Sequence, residues 1–141
     1  MPSGTLCSVT LDPLTGHVVV LAGAAALAGA SLMERGVLLA VVTDDRDLVD
    51  ALERAAALHP TSMLLSYCTD PTDAAVWARV AAHIEQRVGP IDAVLCAPDT
   101  FEVVEATFAA DMRRRGHGAV VRFTAEVDPV DLLREHLHGT P

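Results

Sequence analysis

Short apolar runs alternate with segments whose apolar residues recur every three or four positions along most of the chain. The apolar runs predict five strands, at 17–21, 37–42, 63–67, 91–96 and 119–124. The intervening segments predict five helices, at about 25–35, 44–58, 69–87, 101–115 and 128–137. This alternation is typical of a parallel sheet covered by helices on both faces.

Glycine, proline and aspartate mark where the predicted helices begin and end. Gly36 and Gly116 follow helices and suit the left-handed conformation that commonly ends one. Gly89-Pro90 ends the third predicted helix. At the start of that helix, the run Thr69-Asp70-Pro71 predicts a cap with proline in the first helical turn.

Five strands joined by right-handed crossovers predict an α/β fold, a three-layer, doubly wound parallel sheet. The favoured strand order is 3-2-1-4-5, a Rossmann-like arrangement. A flavodoxin-like order, 2-1-3-4-5, stays open because periodicity does not separate the two. We expect residues 1–15 to form an N-terminal extension and residues 16–141 to form a single domain.

Composition narrows the classes of partner and the location. The formal net charge is −9, so nucleic acid and anionic membrane surfaces are not expected to bind. We expect neither a signal peptide nor a membrane-spanning helix from the sequence. Three widely spaced cysteines, Cys7, Cys68 and Cys96, favour a reducing, cytoplasmic setting.

Four segments, taken in order, resemble the short-chain dehydrogenase/reductase family. They are VVVLAG at 18–23, LAGASLMERGVLLAVVTDDRD at 27–47, TDPTDAAVWARVAAHIEQRVGPIDAVLCA at 69–97 and FAADMRRRGHGAVVRFTA at 108–125. The resemblance implies the Rossmann-like fold above and a site for NAD or NADP. It also implies hydride transfer by a serine, a tyrosine and a lysine four residues after the tyrosine.

The implied cofactor site is retained only in part. Of the glycines in the family's T-G-x-x-x-G-x-G turn, only Gly23 is matched, and Leu27 stands where clearance for phosphate is needed. Asp45 lies 22 residues after Gly23, where the family often binds the adenosine ribose. Taken alone, it is more simply a carboxylate at a helix start. Gly23 and Asp45 are therefore the candidate cofactor-binding residues.

Two further positions depart from the family. Matching Thr69-Asp70-Pro71 to the family pattern puts Tyr67 where an aspartate usually meets the adenine. The family's Asn-Asn-Ala-Gly element is replaced by Cys96-Ala97-Pro98-Asp99, in which the proline removes a backbone donor.

The residues implied for hydride transfer are absent. The chain contains no lysine, and its only tyrosine, Tyr67, precedes the position required. The serine position falls on Ala125, with Thr124 as the nearest hydroxyl. A tyrosine with an ordinary pKa is a poor acid-base catalyst at neutral pH without a nearby cation. We expect no catalytic residue for this reaction.

The remaining motifs predict no further site. His136 and His138 stand two apart on a helix and do not face one another, so no metal is expected. Arg113-Arg114-Arg115 ends a helix where cations suit the dipole. His117 is expected to be exposed in a turn, and no histidine is placed to activate Cys96.

The sequence therefore favours a non-catalytic binding or assembly module without a cofactor. Self-association or a protein partner is expected because the fifth strand would lie at an open sheet edge. Two alternatives remain: a sensor with weak NAD, NADP or adenine-nucleotide binding, and an oxidoreductase completed by a partner chain.

Overall fold

The structure, a computed structural model, describes residues 14–59, 63–124 and 126–137. Its five strands are β1 (Val18–Ala22), β2 (Leu38–Thr43), β3 (Met63–Cys68), β4 (Ala93–Cys96) and β5 (Ala119–Arg122). A 3₁₀ helix, Gly23–Ala28, runs directly into the short helix α1, Gly29–Met33. The other helices are α2 (Arg46–Ala57), α3 (Ala74–Arg87), α4 (Phe101–Arg115) and α5 (Pro129–Leu137).

The strands form one parallel sheet in the order β3-β2-β1-β4-β5. This confirms the Rossmann-like prediction and shows that the flavodoxin-like alternative is wrong. In the centre, Val20 pairs with Ala40 of β2 on one side and with Val94 of β4 on the other. Every residue of β1 is buried, as a central strand between two helical layers requires.

Each face of the sheet carries its own apolar core. On one face, α1, α2 and α5 cover strand residues that include Leu21, Leu39 and Leu95. On the other face, α3 and α4 cover Val20 and its neighbours. There Trp77 is fully buried and packs edge-to-face on Phe108, with ring centroids 5.8 Å apart. The indole N–H is satisfied, because Nε1 donates to the Pro71 carbonyl at 2.7 Å.

Two predicted helix starts are corrected. Helix α3 begins at Ala74 and is capped by Asp73, whose Oδ1 accepts the Ala75 N–H at 2.9 Å, so the predicted cap at 69–71 is wrong. Asp70 instead accepts the Thr72 N–H at 2.9 Å and closes a turn before the helix. The helix after β1 begins at once as a 3₁₀ turn, without an intervening loop.

The other boundaries agree with the sequence to within two residues. Helix α4 spans the predicted residues, and Gly116 ends it with φ of +67°. Residues 1–13 of the predicted extension lie outside the described residues, while Leu14 is buried in the first core. None of the helices in the described ranges combines the length and apolar character that crossing a bilayer requires.

Asp92 joins the amino ends of three neighbouring strands. Its Oδ2 accepts the Val18 N–H at 2.7 Å and lies 3.3 Å from Nδ1 of His17, while Oδ1 lies 2.6 Å from Nε2 of His117. The expected exposure of His117 is therefore wrong: the side chain is partly buried because Asp92 holds it just before β5.

This junction predicts the effect of Asp92→Ala. The change leaves the Val18 N–H without its acceptor and releases His117, so we expect a loss of about 1–3 kcal/mol in the free energy of unfolding. His117→Ala should cost less, because Val18 keeps its acceptor. Urea denaturation measures both, with Glu85→Ala at an exposed position as the control. Equal stability of Asp92→Ala and the control would show that the junction contributes nothing.

Candidate functional site

A cleft of about 300 Å³ lies at the carboxyl ends of β1 to β4. The residues lining it come from the segments after these strands: Gly23, Ala24, Leu27, Thr43, Asp44, Asp45, Leu48, Asp70, Pro71, Thr72 and Asp99. In a doubly wound sheet this edge is where ligands bind, close to the point where the strand order reverses. Here that point lies between β1 and β4.

Gly23 forms the floor of the cleft where β1 turns into the 3₁₀ helix. Its φ is +65°, which disfavours any residue with a Cβ. A Cβ there would lie 3.2 Å from Cγ2 of Thr100 and 3.5 Å from Cβ of Ala97. The β4–α4 loop therefore packs against the side of this glycine where a Cβ would stand. Gly23 also lines the cleft, to which it brings no side chain.

Asp45 sits at the end of β2 and begins helix α2. Its Oδ1 accepts the Leu48 N–H at 3.1 Å, which confirms that it is a helix cap. Its own N–H donates to Oγ1 of the buried Thr43 at 3.2 Å. Asp44 precedes it and is exposed. The predicted ribose contact stays a prediction, for which the position of Asp45 in the cleft is suitable.

The loops after β3 and β4 supply two acidic residues that the sequence analysis did not assign to the site. Oδ1 of Asp70 accepts both the N–H and the hydroxyl of Thr72, at 2.9 and 2.7 Å. The Thr72 hydroxyl, followed by its N–H, lowers the pKa of Asp70. Asp99 follows β4 and is exposed. Their position directly after strand ends was the signal that could have identified them.

Tyr67 does not line the cleft. Its hydroxyl lies 2.5 Å from Nδ1 of His83 on α3, and the two rings meet edge-to-face. Burial raises the pKa of Tyr67, against an opposing effect of Arg87. Asp70, and not Tyr67, lines the cleft after β3. The match that put Tyr67 at the position of the family's adenine-contacting aspartate is therefore corrected.

The lining carries four carboxylates and no arginine or histidine. Carboxylates accept hydrogen bonds from hydroxyl and amino groups and repel phosphate. The cleft therefore suits the sugar and base of a nucleotide better than its phosphates.

The other candidate groups are not brought into the cleft. Cys96 is buried, and this desolvation, aided by the negative charge of Glu105, raises the pKa of its thiol to about 12. Such a thiol is a poor nucleophile at neutral pH. Within the described ranges no group of three or more His, Cys, Asp or Glu side chains is arranged to hold a metal. His138 and Ala125 lie outside the described residues.

No protein-family model and no curated protein sequence matches the chain. Solved structures do match it. A short-chain type dehydrogenase/reductase from Mycobacterium marinum superposes with a TM-score of 0.65 at 17% identity, covering 79% of this chain and 57% of that one. NAD⁺-bound xylitol dehydrogenase gives 0.63 at 18%, covering 77% and 53%. A metagenomic short-chain oxidoreductase in complex with NADP gives 0.64 at 16%, covering 78% and 62%.

The chain has a short-chain dehydrogenase-like fold. This agrees with the resemblance seen in the sequence and gives a Rossmann-like architecture shared with NAD(P)-binding oxidoreductases. The chain spans little more than half the length of the structures it matches.

The expectation that the chain works without a cofactor is corrected by these neighbours. The same fold holds NAD⁺ in the xylitol dehydrogenase and NADP in the metagenomic oxidoreductase. The fold is therefore one that binds nucleotide cofactors.

The geometry at Gly23 predicts two separable costs for Gly23→Ala. The left-handed backbone should lower the free energy of unfolding by about 1–2 kcal/mol, and crowding against Thr100 should lower it by about 1 kcal/mol more. Gly116→Ala is the matched control, since Gly116 has φ of +67° and open space where a Cβ would stand. Thermal or urea unfolding compares the variants.

The double variant Gly23→Ala/Thr100→Ser lacks the crowded methyl group. It should recover the unfolding free energy that crowding costs, but not the part that the left-handed backbone costs. If Gly23→Ala and Gly116→Ala lose the same unfolding free energy, Thr100 of the β4–α4 loop does not pack against the turn at Gly23 as described.

Proposed function

We propose that the chain is an NAD-binding module that lacks its own hydride-transfer residues. The observation that supports this most directly is the row of carboxylates at the ends of the strands: Asp44, Asp45, Asp70 and Asp99. They lie in a cleft whose fold holds NAD⁺ or NADP in the structures it matches.

The adenosine end of such a ligand fits the residues present. A ribose offers two neighbouring hydroxyl donors, and Asp44 and Asp45 offer acceptors at the end of β2, where doubly wound folds bind that ribose. Asp45 uses Oδ1 to cap α2, and its second oxygen has no partner among the described residues. Asp70 can accept from the amino group of an adenine.

The phosphate end fits less well. No cation lines the cleft, and Leu27, with 69% of its surface exposed, stands beside the turn. We therefore expect weak binding of NAD and still weaker binding of NADP, whose extra 2′-phosphate would meet Asp44 and Asp45.

Asp45→Asn tests this assignment. Asparagine is an equally good helix cap, so the helix should be retained while the charge is removed. Titration calorimetry should show NAD affinity falling several-fold, and the preference for NAD over NADP falling by about tenfold. Asp47→Asn is the matched control, because Asp47 is exposed in the same helical turn and does not line the cleft.

Two results would count against the proposal. One is the absence of NAD and adenosine binding at millimolar ligand. The other is an equal effect of the Asp45 and Asp47 substitutions, which would indicate only a general loss of negative charge.

The chain alone is not equipped for proton transfer during hydride transfer. It has no lysine to lower the pKa of a tyrosine. Its one tyrosine, Tyr67, lies against His83 outside the cleft, and burial raises its pKa, the wrong direction for acid-base work at neutral pH. We therefore propose a non-catalytic role for this chain by itself.

The purified chain should give no NAD-dependent turnover of alcohols or ketones above the uncatalysed background, followed by absorbance at the nicotinamide band. Turnover that is lost in Tyr67→Phe would overturn the non-catalytic role. An oxidoreductase completed by a second chain, which would supply the missing tyrosine and lysine, is the alternative.

We further propose that the chain self-associates or binds a protein partner in the cytoplasm. Strand β5 pairs with β4 alone among the described strands, so its outer edge has free backbone groups. Cys68 and Cys96 are both free thiols, as a reducing compartment favours.

A further inference from the structure

Strand β3 forms an open edge of the sheet, opposite the edge at β5. It pairs with β2 alone among the described strands. All six of its residues keep some exposure, whereas every residue of β1 is buried. Natural edge strands are commonly protected by charged side chains, proline or bulges, yet Met63–Cys68 contains no charged residue and no proline. The edge is therefore open to an added strand.

The pairing with β2 determines which backbone groups of β3 point outward. The Thr69 N–H donates to the Thr43 carbonyl at 3.0 Å, at the end of the ladder between the two strands. Backbone groups alternate in direction along a strand, so the odd-numbered residues of β3 bond to β2. The N–H and C=O groups of Leu64, Ser66 and Cys68 therefore point away from the sheet.

We propose that this edge binds an extended segment of another protein as an added strand, and that the segment carries an acidic and a basic side chain at neighbouring positions. The proposal goes beyond the nucleotide cleft and gives one surface to the partner binding proposed above.

The side of the edge that faces α3 is basic. Tyr67 points to this side, where its hydroxyl lies 2.5 Å from Nδ1 of His83. Burial raises the pKa of Tyr67, and the nearby charge of Arg87 opposes that shift. Arg79, His83 and Arg87 follow one another at steps of four residues, which places them on one side of the helix. Both arginines are exposed, and neither has an ion-pair partner among the described residues, so an acidic side chain fits here.

The side of the edge that faces α2 is acidic. Ser66 points to this side, and its hydroxyl donates to Oε2 of the exposed Glu53 at 2.7 Å. A carboxylate accepts several hydrogen bonds, so Glu53 can also bind a cation. Neighbouring residues of a strand point to opposite faces. The residue that meets Glu53 and the residue that meets Arg87 therefore stand next to each other in the added strand.

A second copy of this chain fits the edge less well. Two antiparallel β3 strands would be related by a two-fold axis perpendicular to the sheet, which keeps each face of the sheet on its own side. The arginines of α3 from both copies would then share one face and the two Glu53 side chains the other, so that like charges meet. A partner strand of alternating charge avoids this repulsion, and its main-chain hydrogen bonds supply affinity.

A synthetic peptide, acetyl-Thr-Val-Glu-Lys-Val-Thr-amide, is the probe, because it places its two charges on opposite faces of a strand. Amide hydrogen exchange followed by NMR locates its binding. With millimolar peptide, the amides of Leu64, Ser66 and Cys68 should exchange at least about threefold more slowly. Those of Leu65 and Tyr67 already bond to β2 and should change little.

Charge reversals test the two sides of the edge. Glu53→Arg and Arg87→Glu should each weaken peptide binding about threefold, because one side then repels the charge it should attract. The double variant Glu53→Arg/Arg87→Glu should regain most of the lost affinity, since the peptide can turn over and meet opposite charges again. Glu85→Arg is the control, as Glu85 is exposed on α3 but lies two positions from Arg87 and so on another side of the helix. Circular dichroism checks that each variant is folded.

Backbone methylation of the peptide separates strand addition from charge attraction and needs only the wild-type chain. Methyl groups on alternate amide nitrogens block either the N–H groups that face β3 or those that face solvent. One of the two methylated peptides should lose binding about tenfold, and the other should keep it.

Four results would overturn the proposal. One is the absence of peptide binding at millimolar concentration, and another is an equal loss from the two methylated peptides, which would indicate attraction without strand addition. Slowed exchange in β5 instead of β3 would place the binding at the other edge. Slowing of the β3 amides without peptide, as the protein concentration rises, would make a second copy the occupant. NAD titration reports on the cleft and is independent of all four.

Discussion

The turn at Gly23, closed by the β4–α4 loop, is the constraint on which the character of the cleft depends. Strand β1 is buried along its whole length and passes into a helix without a loop. Thr100 and Ala97 then pack on the side of the glycine where a Cβ would stand. The residues of this segment that line the cleft, Gly23, Ala24 and Leu27, carry no polar side chain. The polar side chains of the cleft therefore come from the segments after β2, β3 and β4.

Two of the four carboxylates in the cleft also have a structural role. Asp45 caps α2, and Asp70 closes the turn before α3. Each binds backbone N–H groups through one oxygen, which fixes the side chain without using its full capacity as an acceptor. Residues held rigid by the fold lose little entropy when they bind a ligand. The same aspartates can therefore order the loops and present acceptors to a sugar.

The sequence was sufficient for the individual strands and for helix α4, because both depend on local signals. The strand order was favoured but stayed open, since pairing between strands is not a local property. Strands of buried apolar residues and the glycine at 116 need no knowledge of distant contacts. The Asp92–His117 contact joins residues 25 apart in sequence, and nothing local distinguishes His117 from an exposed turn residue. Asp70 was misassigned for a related reason: Asp73 caps α3, and Nε1 of Trp77, one turn into the helix, donates to the carbonyl of Pro71 in the turn before it.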